Sequence, residues 1–133
     1  MIGYRVTTRS DVKKVIRKIR RENPRTLGHA GGYIRKVAYR SIRPRKDRTK
    51  HSPKGSPPYT HTKRLPKSIL YFVDKRRDSV IIGPSHRLIG IAGAEHEHGA
   101  DWRKPMPDKR PFMQPALEKT APKLPRQWQG FLR

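Results

Sequence analysis

Glu95-His96-Glu97-His98 is the cluster in this chain whose residue types best suit a metal or an acid–base site. Two imidazoles two positions apart, each beside a carboxylate, form a donor set that zinc or iron accepts. A third and fourth ligand do not follow at any recognised spacing. His51, His61 and His86 stand scattered in polar segments, there is no Cys, and no His-Glu-x-x-His pattern occurs. Nucleophilic chemistry has less support. Ser41, Ser52, Ser56, Ser68, Ser79 and Ser85 belong to no nucleophile elbow. Gly28-x-x-Gly31-Gly32 lacks the Lys-Ser/Thr that completes a phosphate loop. The expectation is a protein with no catalytic residue, no cofactor and no bound metal.

Cation is what the chain holds in quantity. Lys and Arg number 33 against 10 Asp and Glu, a net charge of +23 in 133 residues, and the pI is near 11.4. Self-repulsion on that scale disfavours compaction and calls for a polyanion or an acidic neighbouring surface. The first 54 residues carry 18 of the 33 basic residues and 3 of the 10 acids, so the N-terminal region is the electrostatic half. The densest run is 43–54, where Arg43, Arg45, Lys46, Arg48, Lys50 and Lys54 surround the single acid Asp47 and no apolar side chain appears. This reads as an arm or long loop unable to anchor itself to a core. Lacking an aromatic residue of its own, it would meet a nucleic acid at the phosphate backbone and without sequence preference. Lys13, Arg17 and Arg20 lie on a helical segment; its charges are either a solvated face or a face for phosphates and acidic partners.

The elements that must position these residues follow from periodicity and punctuation. Ser10 and Asp11 suit a helix start, and Val12, Val15, Ile16 and Ile19 recur as an apolar stripe. That helix is expected to end at Asn23-Pro24. A second helix is expected from Pro24 to about Arg43, with Leu27, Ala30, Ile34, Val37, Ala38 and Ile42 on one face. Gly28, Gly31 and Gly32 either allow close approach of another element or mark a loop, with the helix starting only near Gly32. Ser68–Val73 and Val80–Ile82 are β-branched and aromatic and predict an antiparallel hairpin. Gly-broken apolar residues 88–94 precede Glu95–Gly99. Trp128, Phe131 and Leu132 in the tail need a surface to dock on.

The fold class expected is therefore α+β: two N-terminal helices, a small antiparallel β-sheet built on a hairpin, a short C-terminal helix, and extended basic arms. One domain covers 1–133, with a helical region over 1–43, a basic Pro-rich arm over 44–58, the sheet and final helix over 59–121, and a tail over 122–133. A hydrophobic fraction of 32% and a mean hydropathy of −0.97 leave only a small core. No apolar run approaches the ~20 residues of a membrane span, and no secretory h-region is expected.

Two segments also carry a resemblance. Gly55-Ser56-Pro57-Pro58, the Tyr/Thr/Lys/Arg segment after it, and the strands beginning Lys67-Ser68-Ile69 and closing on Gly83-Pro84 form the first. Glu97-His98-Gly99, followed by Arg110-Pro111-Phe112-Met113-Gln114-Pro115-Ala116-Leu117, forms the second. In this order they resemble the HK97 gp10-like family of phage neck and tail-completion proteins, over roughly half the chain; Pro122 and Pro125 depart from the family's longer last helix. The resemblance implies a structural virion protein, assembled in the host cytoplasm into a homo-oligomeric ring of the neck, a hexamer in preference to a dodecamer. Its neighbours would be the portal-side connector or stopper and the tail-tube or terminator proteins, with non-specific contact to DNA in the axial channel and no membrane. It further implies that Ile69, Tyr71, Val73, Ile81 and Gly83 build the sheet core. Glu97, Gly99, Pro111, Phe112 and Pro115 would build the turn and the last helix, with Phe112 and Met113 returning to the core and Pro115 at the helix's first position. The alternative, from charge and arms alone, is a basic nucleic-acid-binding protein of ribosomal type; a third is a small metalloenzyme using His96 and His98.

Overall fold

A computed structural model describes residues 11–99 and 108–130. The order is α1 (Val12–Ser41), α2 (Arg64–Ser68), β1 (Ile69–Asp74), β2 (Ser79–Pro84), α3 (His86–Ile89), α4 (Ala92–His98) and α5 (Met113–Thr120), with a 3-10 helix over Ala121–Trp128. This is an α+β fold. Ser10, Phe131 and Leu132 lie outside the described residues. Among the described residues no helix is long and apolar enough to cross a membrane.

The two expected N-terminal helices are one helix of 30 residues with Pro24 inside it. Proline deprives the carbonyl four residues back of its partner and costs a helix about 3 kcal/mol. Tertiary bonds hold the residues beside it. Asn23 Oδ1 accepts from Trp128 Nε1 at 2.9 Å, and its Nδ2 donates to Asp78 Oδ1 at 3.3 Å. Thr26 is buried, and its hydroxyl donates to the Glu22 carbonyl. The Arg20–Arg21 side of the turn faces water, where an unpaired carbonyl is cheap.

The hairpin pairs Ile69 with Pro84 through Asp74 with Ser79. Its turn is held by Asp74 Oδ1, which accepts the N–H groups of Arg76 and Arg77, and by Asp78 at φ 46°, a left-handed value that Asp tolerates. Pro84 closes the second strand, where its missing N–H costs least. The Ile69 carbonyl, which faces away from β2, accepts from Arg35 Nε at 2.6 Å, tying α1 to the start of β1.

α1 crosses this hairpin at Gly31. A Cβ there would lie 2.7 Å from Val80 Cγ2 and 3.0 Å from Tyr71 Cδ2, so the close approach requires glycine. The core, Ala38, Ile42, Leu65, Ile69, Phe112 and Ala116, sits where the C-terminal half of α1 meets the α2–β1 junction and α5. Ile69 and Phe112 are fully buried, as expected; Ile81 is 60% exposed and belongs to the outer face of the hairpin. The alternation of the strand decides this. Tyr71, Val73, Val80 and Ile82 point toward α1, so Leu70, Phe72 and Ile81 point away from it. Tyr71 remains 44% exposed, with its ring laid over Gly31 and Gly32. Gly83 has open space where a side chain would stand.

The tail is also helical as far as Trp128. Pro122 and Pro125 fit a 3-10 turn that continues directly from α5, and Trp128 brings its end back to Asn23 of α1.

Candidate polyanion and assembly surfaces

The basic run 43–54 is a loop closed at its base, not a free arm. Arg45 N–H donates to the Thr60 carbonyl at 2.9 Å and Thr60 N–H to the Arg43 carbonyl at 3.0 Å, forming a short parallel bridge between Pro44 and Thr60. Its far end is tied down as well. Arg110 Nε donates to the Ser52 carbonyl at 3.0 Å, Gly55 N–H to the Lys109 carbonyl at 2.9 Å, and Lys54 pairs with Asp108 at 2.8 Å. Backbone bonds thus supply the anchorage that the missing apolar side chains could not. Asp47 orders the tip by accepting the hydroxyl and the N–H of Thr49. Those bonds, the hydroxyl first, hold its carboxyl below the usual range.

Arg43, Arg45, Lys46, Arg48, Lys50 and Lys54 are all exposed, and Lys50 and Lys54 each have an acidic partner. The bridge sets beside them the exposed Lys63 and Arg64, which follow Thr60 in the chain. The Arg45 guanidinium lies 4.9 Å from the centre of the Tyr59 ring. A cleft of about 620 Å³ between the end of α1, the 53–59 segment and α5 adds Arg40 and Lys119 to Arg43. Arg40, Lys63, Arg64 and Lys119 are missed by sequence reasoning because no local run marks them; only the packing of α5 against α1 brings Lys119 to Arg40. Lys13, Arg17 and Arg20 do not join this group. Arg17 and Arg40 stand about 35 Å apart along one helix at about 1.5 Å per residue.

Glu97 is a capping residue. Its Oε2 accepts the N–H groups of Phe112 and Met113, both at 2.9 Å, and its Oε1 accepts that of Gln114 at 2.7 Å. The next residue, Pro115, has no N–H, so one carboxylate from α4 satisfies the start of α5. Pro115 is accordingly third in the helix, not first. Gly99, at φ 84°, turns the chain out of α4, and its N–H donates to the Glu95 carbonyl. Pro111 is half-buried. With Glu97 committed to backbone, His96 and His98 do not share it with a metal; among the described residues no three His, Cys, Asp or Glu converge. His96 is partly buried beside Arg110, whose N–H donates to the His96 carbonyl. Burial first, then the Arg110 charge, holds its imidazole pKa below the ordinary value.

Among the described residues, apolar groups stand exposed together on the hairpin and on α1. Leu70, Phe72 and Ile81, on the outer face of the hairpin, are 48%, 67% and 60% exposed. Val12, Val15, Ile16 and Ile19 line the N-terminal half of α1 and are exposed too. A further groove of about 640 Å³, lined in part by Leu27, Ile82, Met113, Leu117 and Trp128, separates α1 from α5 and the 3-10 helix. No protein-family model matches the chain, and neither a curated protein nor a solved structure matches it.

Proposed function

We propose that this chain is a structural virion protein of a tailed bacteriophage, the subunit of a ring in the neck that joins head to tail or completes that junction. The observation that carries the reading is the pair of uncovered apolar faces on two different elements, the hairpin and the first turns of α1. A soluble monomer seldom exposes such groups together, and two unlike faces suit a head-to-tail contact that closes into a ring. The likeness of Gly55–Glu118 to neck proteins supports the same reading, with a hexamer preferred over a dodecamer. The ring's neighbours are the connector or stopper on the portal side and the tail-tube or terminator proteins on the other. The alternative of a ribosomal-type RNA-binding protein draws on one observation, the closed basic loop that holds six exposed Lys and Arg.

Light scattering on the purified protein tests the proposal. A closed oligomer is expected, and Phe72→Asp with Ile81→Asp should return it to monomer while the fold persists. A wild-type protein that stays monomeric at high micromolar concentration, or that co-sediments with ribosomes, would count against the ring.

A further inference from the structure

We infer that the cleft between the end of α1, the 53–59 segment and α5 is a phosphodiester site that grips the backbone of duplex DNA without reading its sequence. The site belongs to the subunit itself and does not depend on ring closure. Its volume is about 620 Å³, and three cations from separate segments line it: Arg40 in α1, Arg43 just beyond it and Lys119 in α5. Among the described residues no carboxylate lines it. The two hydroxyls of its serines are already committed, Ser41 to the Ala38 carbonyl and Ser56 to the Pro53 carbonyl, both at 2.7 Å. The cations are therefore the charged donors left for a ligand. Arginine forks and a lysine point charge are the groups that hold phosphate oxygens.

Below the cations, Val37, Pro57 and Pro115 give the cleft an apolar floor, against which a sugar can rest between phosphates. One face of Tyr59 is occupied by Arg45, which removes a platform for a stacked base. From Arg43 the bridge to Thr60 leads directly to Arg45 and Lys63, so the positive surface continues beyond the cleft. An anion that presents charge at regular short intervals fits a continuous strip better than the scattered carboxylates of a protein do.

Fluorescence anisotropy with a short labelled duplex, in two unrelated sequences and across a salt series, tests the assignment. Removing three phosphate contacts with Arg40→Gln, Arg43→Gln and Lys119→Gln should weaken binding at least ~10-fold and flatten the log K against log salt slope by about 2–3. The equal charge change Lys75→Gln, Arg76→Gln and Arg77→Gln at the hairpin turn should alter the slope by less than about 1. Both duplex sequences should bind alike. All six residues are exposed, and unchanged melting of each variant confirms that the fold is intact. If one triple melts early, the single changes Lys119→Gln and Lys75→Gln carry the same comparison. Equal losses from both sites would reduce the effect to net charge and overturn the proposal. Polyglutamate competing as well as DNA would overturn it too, in favour of an acidic protein partner.

Discussion

Glu97 joins two stretches of the chain through three backbone N–H groups, so its removal acts on a helix in which it does not lie. Hydrogen bonds to a charged group contribute about 1.5–3 kcal/mol, and losing a helix cap costs about 0.5–2 kcal/mol. Glu97→Ala should therefore lower stability by roughly 2–3 kcal/mol in urea denaturation, and Glu97→Gln by less. Phe112, fully buried beside that cap, is the largest side chain in the core; Phe112→Ala should cost ~3–5 kcal/mol. His96 sets a pH dependence. Its imidazole pKa is held below the ordinary value, so the unfolded chain binds the proton more readily than the folded one. The contribution is full above about pH 6.5 and is lost as pH falls from there through the lowered folded value. Stability measured from about pH 7.5 down to about 5.5 should decline in wild type and decline less in His96→Gln.

Gly28 and Gly31 lie on the same helix and answer differently to one methyl group. At Gly28 the nearest atom to an added Cβ is Val73 Cγ2 at 3.9 Å, an ordinary contact. Gly28→Ala should stabilise α1 by roughly 0.5–1 kcal/mol through helix propensity. At Gly31 the same methyl meets Val80 and the Tyr71 ring, and overpacking of this kind costs about 1–3 kcal/mol. Gly31→Ala should therefore be net destabilising, and the contrast in melting temperature checks the helix–hairpin crossing. Pro24 persists within α1 because packing and the Asn23 bonds hold both sides of the turn.

At the scale of the molecule, a net charge of +23 and a small core leave compaction opposed by repulsion. The ion pairs described are all at the surface and each contributes little. Moderate salt, which screens repulsion over about a Debye length of 8–10 Å, should raise the melting temperature of the free protein. The same salt should weaken DNA binding, and opposite responses in one salt series would separate the two effects. Assembly should follow the apolar faces, and polyanion binding the basic cleft and loop.

Local pattern determined the hairpin and the charge of 43–54, because each depends on neighbours in sequence: β-branched and aromatic runs, and a stretch without apolar side chains. The continuous α1 was not legible. Proline and glycine read as breaks until the hairpin fills the space the glycines leave and Trp128 secures Asn23 from the far end of the chain. Ile81 was misplaced for a related reason, since a short apolar strand does not reveal which of its faces meets the helix. The loop's closure depended on backbone partners in 60 and 108–110, and the cleft on Lys119 folding against Arg40. Local composition specifies elements and net charge; only the packing of α1 against the hairpin and α5 decides which cations share a surface and which apolar groups remain open.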